Sequence, residues 1–176
     1  MDKKLAKFEV KYQELINDVD RHSKKLTSIH SKHLHCKMGC DLCCMDYRIF
    51  PVEFHTILNR IRKDKSFIKP EKQIDESTCI FLKNHACTIY ENRPCICRTH
   101  GLPLLYMNDD NEWELSNCEL NFTDFDFDEF DSENTFPMDR FNSKLFVLNK
   151  QFISEFGDKK YNEFELIPLK KLVDSI

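Results

Sequence analysis

The sequence predicts a mainly α-helical fold with minor β, in which a compact cysteine-rich metal-binding region lies between a long N-terminal helix and a C-terminal helix. Three observations predict this fold. Residues 2–35 lack Gly and Pro and carry apolar side chains at steps of three and four, a second such pattern follows Pro137, and four of the nine cysteines fall within residues 36–44. Steps of three and four place side chains on one face of a helix. We expect one folding unit with three regions, at 1–35, 36–118 and 119–176.

The N-terminal helix is expected to be amphipathic, because its apolar positions form a heptad seam. The seam consists of Leu5, Phe8, Tyr12, Leu15, Val19, His22, Leu26, Ile29 and His33. Such a seam either packs on the helix's own domain or forms a coiled coil with a second copy. A homodimer through this helix is therefore one alternative, and we expect the two seam histidines to be partly buried residues rather than ligands.

The middle of the chain predicts short elements that carry the cysteines. Gly39 supplies a turn, "YRIF" reads as a short extended piece, and Pro51 fits the first turn of a helix that runs to about Lys63. Residues 64–78 are a polar loop. The segments "CIFL" and "CTIY" predict two short strands flanking the polar "KNHA", Pro94 marks a helix start, and "LPLLYM" and "WEL" predict a second hairpin.

The C-terminal region begins with an acidic arm, residues 119–136, in which Phe alternates with Asp and Glu. We expect the arm to wrap over the core with its aromatic side chains tucked in, at Phe122, Phe125, Phe127 and Phe130. The following helix carries Met138, Phe141, Leu145, Leu148, Phe152 and Phe156, and Gly157 is expected to end it. The tail predicts a short amphipathic helix.

Composition narrows the function classes. With 26 basic and 30 acidic residues the net charge is −4, which gives no general attraction to nucleic acid or to an anionic membrane. No stretch reaches the apolar length of a transmembrane helix, and the start lacks the apolar run of a signal peptide. We therefore expect a cytoplasmic protein with no membrane partner. Thiols stay reduced in that compartment, so nine cysteines indicate metal or redox chemistry rather than disulfides.

The run "HCKMGCDLCCMDYR" carries the metal hypothesis. Its cysteines have the spacing C-x3-C-x2-C-C, which can place three thiolates around one [4Fe–4S] cluster or supply ligands to zinc. Radical enzymes that cleave S-adenosylmethionine share this spacing, but on a larger barrel than this chain can build. Side chains of adjacent residues point in different directions. We therefore expect Cys43 and Cys44 to serve two sites, or one to bind metal while the other is structural.

Five further cysteines follow the run. With Cys36, Cys40, Cys43 and Cys44, four of them could complete two four-thiolate sites, and the remaining Cys95 is expected to be a small buried apolar residue. His85 and His100 lie beside downstream cysteines, and either could replace one thiolate.

These motifs resemble the YkgJ-type cysteine-cluster family, described as zinc- or iron-chelating proteins and related to flagellin N-methylases. The resemblance rests on "CKMGCDLCC", "CIFL", "CTIYENRPCICR" and Cys118, and it covers about residues 36–98 plus that last cysteine. It implies a bound [4Fe–4S] iron–sulfur cluster or zinc. The family cysteines are Cys36, Cys40, Cys43, Cys44, Cys79, Cys87, Cys97 and Cys118, accompanied by Tyr90, Arg93, Pro94 and Arg98.

The accompanying residues suggest how the cofactor environment is tuned. Arg93 and Arg98 flank Cys97, so they are candidates to stabilise a negative thiolate site, and their alternative is a salt bridge to the acidic stretch 109–139. Tyr90 is expected to be a core residue with its hydroxyl hydrogen-bonded.

Three functions remain open at this point. The first is a metal-binding protein with a closed, structural or electron-carrying centre. The second is a cluster-dependent protein lysine methyltransferase, which the resemblance implies, although three glycines leave no glycine-rich nucleotide loop. The third is a zinc-stabilised interaction protein. Catalytic residues, a substrate and a protein partner are not identified by the sequence.

Overall fold

The computed structural model describes residues 2–71, 77–156 and 161–176, and these residues contain five α-helices and seven short β-strands. The helices are α1 (Asp2–Ile29), α2 (Pro51–Lys63), α3 (Cys95–Thr99), α4 (Met138–Phe156) and α5 (Lys171–Asp174). The strands are β1 (Arg48–Ile49), β2 (Leu82–Lys83), β3 (Ala86–Cys87), β4 (Leu104–Met107), β5 (Trp113–Ser116), β6 (Phe136–Pro137) and β7 (Ile167–Pro168). A long N-terminal helix and a C-terminal helix thus flank the cysteine-rich region, as predicted.

The apolar seam of α1 packs inside the chain. Its side chains join those of α4 in a first core cluster that contains Leu5, Phe8, Tyr12, Leu15, Val19, Leu26, Phe141, Leu145, Leu148 and Phe152. The helix ends at Ile29, earlier than predicted, and Ile29 itself is exposed. The burial of the seam within one chain leaves only the outer face of α1 for contact with a second copy.

Histidines near the end of α1 pack on aromatic rings. His22 lies against Phe141 and is partly buried, as predicted, and His33 is partly buried against Phe125. His30, which lies outside the predicted seam, is buried, and its Nε2 hydrogen-bonds the carbonyl of Asn134 at 2.7 Å. The backbone N–H of His30 donates to the carbonyl of Leu26 at 2.9 Å, and His30 takes the core position that the heptad pattern assigns to Ile29.

A second core cluster lies beneath α2 and α5. It contains Ile49, Phe54, Ile57, Leu58, Ile61, Cys79, Phe81, Ile89, Leu169, Leu172 and Val173. Helix α2 has the predicted bounds, with Pro51 in its first turn. Strand β1 pairs antiparallel with β7, so the C-terminal tail closes this cluster from the far end of the chain.

Both predicted hairpins form, but the first is displaced. Asn84 and His85 have φ of 51° and 59°, which makes them the central residues of a tight turn between β2 and β3. The polar "KNHA" segment therefore contains most of the hairpin rather than only its loop. The second hairpin, β4–β5, matches its prediction, and β6 adds to β4 in parallel.

The acidic arm follows its prediction in part. Phe122 is buried, and Phe125 and Phe130 pack beside it. Phe127 is 57% exposed, so the expectation that all four rings are tucked in is wrong for this residue.

Gly157, which is expected to end α4, lies outside the described residues. None of the described helices combines the length and the apolar character needed to cross a membrane.

Candidate metal centre

The first four cysteines lie on a loop made of two successive turns. The backbone N–H of Cys40 donates to the carbonyl of Lys37 at 3.0 Å, and that of Cys44 donates to Asp41 at 2.8 Å. Gly39 has φ of +93°, a left-handed conformation that other residues adopt only with strain. Cys36 and Cys43 are exposed residues, whereas Cys40 and Cys44 are half-buried.

The adjacent cysteines have different thiol neighbours. Burial raises the pKa of the Cys43 thiol, and the thiols of Cys36, Cys40 and Cys118 raise it further. Burial likewise raises the pKa of Cys44, to about 12, with added contributions from its neighbour Cys43 and from Cys79 and Cys87. We call Cys36, Cys40, Cys43 and Cys118 the outer group.

The inner group consists of Cys44, Cys79, Cys87 and Cys97, and it lies against the second core cluster. The backbone N–H of Cys79 donates to the carbonyl of Cys44 at 2.9 Å, which ties the cysteine loop to the segment before β2. Cys87 lies on β3 and Cys97 on α3. Burial raises the pKa of Cys97, and the nearby Cys79 and Cys87 thiols add to the effect. The inner group is therefore the more buried of the two.

Tyr47 lies beside both groups, and His100 packs against its ring. Burial raises the pKa of Tyr47 to about 12, and the thiols that contribute are Cys97, Cys43, Cys44 and Cys79. These thiols come from both groups. The rings of Tyr47 and His100 have centroids 4.9 Å apart, and the buried Nε2 of His100 has no hydrogen-bond partner among the described residues. Burial lowers the pKa of His100, and Arg93 lowers it further, so a neutral imidazole is favoured.

The two predicted cations occupy different positions. Arg93 lies over the ring of Tyr90 at 3.6 Å and donates to the carbonyl of Cys97, and its charge lowers the pKa of Cys87 against the dominant effect of burial. Arg98 is buried and pairs with Asp20 of α1 at 2.8 and 3.0 Å, rather than with the acidic stretch. Arg93 therefore faces the inner group, and Arg98 joins α3 to α1.

Among the remaining candidates, Tyr90 differs from its expectation and Cys95 agrees with it. Tyr90 is 56% exposed, so the expectation of a core residue is wrong: the short helical turn that carries it points its ring outward against Arg93. His85 is exposed, and its Nδ1 lies 2.7 Å from a carboxylate oxygen of Asp41. This pair joins the β2–β3 turn to the cysteine loop. Cys95 is buried in the first core cluster, as predicted.

The residues fit a thiolate-bound metal by their donor chemistry. Within the described residues, no three Cys, His, Asp or Glu side chains form a ready-made ligand set for one ion. Each group nevertheless offers four thiols, and thiolates are strong ligands for zinc and for iron–sulfur clusters. Binding a single ion would draw the thiols of a group closer together.

Residues outside the predicted set hold the outer group in place. Asn121 is buried, and its Nδ2 donates to Cys36 Sγ at 3.3 Å and to the carbonyl of Gly101 at 2.7 Å. Gly101 has φ of +88°, and a Cβ there would lie 2.5 Å from Cys36 Sγ. The sequence signal for both is weak, since an Asn after Cys118 and a Gly after His100 are ordinary loop residues.

Replacing Gly101 with Ala is expected to destabilise the fold and to displace Cys36. The left-handed φ strains any residue with a Cβ, by about 1–2 kcal/mol, and the close approach to Sγ adds to this. Thermal unfolding measures the strain, and thiol alkylation with the fold intact measures the displacement. Gly39→Ala is the matched control, because it has the same kind of φ but no heavy atom within 4 Å of its Cβ. Equal alkylation of both variants would contradict the expectation.

Residues 35–119 match the family model CxxCxxCC, described as a "putative zinc- or iron-chelating domain". This region of the chain matches the YkgJ-type family. The match confirms the resemblance that the motifs predict, and it extends through Cys118 without a break. No curated protein and no solved structure matches the chain. The match supports metal binding by this region, with zinc or iron as the metal.

Proposed function

We propose that the chain binds zinc or iron through two four-cysteine centres, one formed by the outer group and one by the inner group. The observation that carries the proposal is the division at Cys43 and Cys44: Cys44 packs with Cys79 and Cys87 on the second core cluster, whereas Cys43 is exposed. The thiols that raise the pKa values of the two residues differ in the same way. Adjacent side chains cannot easily reach one ion, but they can reach two. Eight family cysteines then supply two complete sets, and the buried Cys95 belongs to neither.

The surroundings of the two groups support different roles. The inner group lies on the second core cluster and faces Arg93. The positive charge of Arg93 offsets the electrostatic repulsion between thiolates that lie close together. The outer group is more exposed and is held by a neutral amide. A bound zinc would supply a structural tie between segments, and a bound iron–sulfur cluster would supply an electron-carrying centre. We infer that the inner centre stabilises the domain and that the outer centre is the one in contact with solvent.

The methyl-transfer activity that the family resemblance implies gains no specific support from the described side chains. We therefore propose the metal-binding function alone.

Anaerobic purification followed by metal and acid-labile sulfide analysis tests the proposal. We expect two metal centres per chain, either as two zinc ions without sulfide or as iron with matching sulfide. The Cys95→Ala variant is the control and should retain both centres. A chain that holds only one centre, or that binds no metal when both metals are supplied, would overturn the proposal.

A further inference from the structure

Asn121 connects three separate segments through one buried side chain. Its Oδ1 accepts a hydrogen bond from the backbone N–H of His35 at 2.7 Å, and its Nδ2 donates to the carbonyl of Gly101 and to Cys36 Sγ. Only 2% of the residue is exposed. An amide can donate two hydrogen bonds and accept two. The contacts use both donors, and one of them goes to a sulfur atom.

The backbone around Asn121 also reaches the last cysteine of the outer group. Its N–H donates to the carbonyl of Cys118 at 2.9 Å, and the side chain of Asn117 donates to the same carbonyl at 3.0 Å. The turn 117–121 therefore fixes Cys118, while the Asn121 side chain fixes Cys36. These two cysteines are more than eighty residues apart in the sequence, and Asn121 is the residue that contacts both.

A neutral N–H donor suits a thiolate ligand. It stabilises the negative sulfur without replacing it as a ligand. The loss of such a hydrogen bond to a metal ligand typically changes metal affinity by about 10- to 100-fold. On the other side of Cys36, the missing Cβ of Gly101 leaves room for the sulfur. The sulfur is thus held between an amide donor and a glycine backbone.

We propose that Asn121 is a positioning residue for the outer centre, which holds Cys36 in place as a ligand and sets how tightly that centre retains its metal. The inference rests on the proposed two-centre function and deepens it. Asn121 acts through Cys36 and does not itself bind the metal. The inner group has no described contact with this side chain, so its metal should be unaffected.

The test compares Asn121→Asp with Asn149→Asp in the full chain. Asn149 is equally buried and also accepts from one backbone N–H, that of Val52, and donates to one carbonyl, that of Glu163. It packs with the first core, which contains none of the eight family cysteines. Both variants bury a new carboxyl group and lose an amide donor. Only Asn121→Asp removes a donor from a thiol and places a negative charge beside it.

Two measurements report the change in metal binding separately from the stability of the fold. The first is the rate at which each metal equivalent passes to a chelator, and the second is the thiolate-to-metal absorption of protein reconstituted with Co²⁺. We expect Asn121→Asp to weaken retention of one equivalent by about 10- to 100-fold and to alter the absorption. Asn149→Asp should resemble the wild type in both, even if its melting temperature falls.

If Asn121→Asp does not fold, Asn121→Ala replaces it in the test of whether Asn121 acts through Cys36. In that case the effect of Asn121→Ala should disappear in a Cys36→Ser background, because both changes act on the same ligand. Equal metal retention and equal spectra in the Asn121 and Asn149 variants would overturn the proposal while leaving the two centres intact. A wild-type chain that never holds a second equivalent would overturn the two-centre function as well.

Discussion

Replacing Cys44 with Ser is expected to remove the inner metal and to unfold the second core, whereas Cys43→Ser removes only the outer metal. The two positions are adjacent, so the variants are closely matched. Cys44 packs on the second core cluster and its carbonyl accepts from Cys79, while Cys43 is exposed. The binding free energy of a structural zinc is folding free energy, about 10–16 kcal/mol in small domains. This exceeds or equals the total stability of most domains.

Metal stoichiometry and thermal unfolding measure this prediction together. Each variant should hold one centre instead of two, and the melting temperature should fall far more for Cys44→Ser than for Cys43→Ser. Cys95→Ala serves as the control, because it removes a buried thiol outside both groups and should cost only about 1–2 kcal/mol. Loss of both metals in both variants would show a single shared site.

The contrast follows from where the apolar side chains lie. The first core, between α1 and α4, contains Cys95 but none of the eight family cysteines. The second core contains Cys79, and Cys44 and Cys87 pack against it. Apart from α2, this second core is assembled from two-residue strands, short helices and loops, which make few backbone hydrogen bonds of their own. A metal that ties the cysteine loop, the β2–β3 hairpin and α3 together would stabilise this half more than the helical half.

The helices were predictable because their signals are local. Helix α2 has a proline in its first turn and a clear apolar face, and α4 has an uninterrupted 3.6-residue pattern. The end of α1 was less predictable, because the seam pattern continues past Ile29 although the helix does not. Pattern alone does not show that His30 and the Phe122 ring pack together and turn the chain.

Contacts between distant segments could not be predicted. The pairing of β1 with β7 joins residues more than a hundred positions apart, and two-residue strands carry no periodic signal. The cysteine pattern identified the candidate ligands. The adjacent Cys43 and Cys44 indicated two sites, because neighbouring side chains point in different directions. Which cysteine accompanies which depends on the tertiary fold, and the same is true of Asn121 and Tyr47, whose residue types are common in loops and cores.

Glu53 is a second residue whose role only the fold reveals. Its buried carboxylate accepts hydrogen bonds from the hydroxyl of Tyr12 at 2.9 Å and from the backbone N–H of Cys95 at 3.0 Å. The backbone N–H of Phe50, the N-cap of α2, also lowers the pKa of this carboxylate against the dominant effect of burial. One side chain thus joins α1, α2 and α3, and α3 carries Cys97.

Glu53→Ala is expected to destabilise the protein by roughly 2–6 kcal/mol. It leaves the Tyr12 hydroxyl and the Cys95 N–H buried without an acceptor, and each such group costs about 1–3 kcal/mol. Glu53→Gln keeps an oxygen acceptor for both donors and removes the buried charge. Denaturant unfolding at several pH values separates the two effects.

The pH dependence of Glu53→Gln has a defined sign. Burial raises the pKa of Glu53 above 4.5, and hydrogen bonds from Cys95 and Tyr12 only partly oppose this. The carboxyl therefore favours folding fully at pH values below the pKa of the unfolded chain, and this contribution is lost as the pH rises through the folded pKa. Relative to the wild type, Glu53→Gln should gain stability as the pH rises from about 4 towards neutrality. Glu155→Gln is the control with the opposite sign, because Lys7 lowers the pKa of that exposed carboxyl. The opposite result, in which the wild type becomes more stable relative to Glu53→Gln as the pH rises, would show that the fold stabilises the charged form of Glu53.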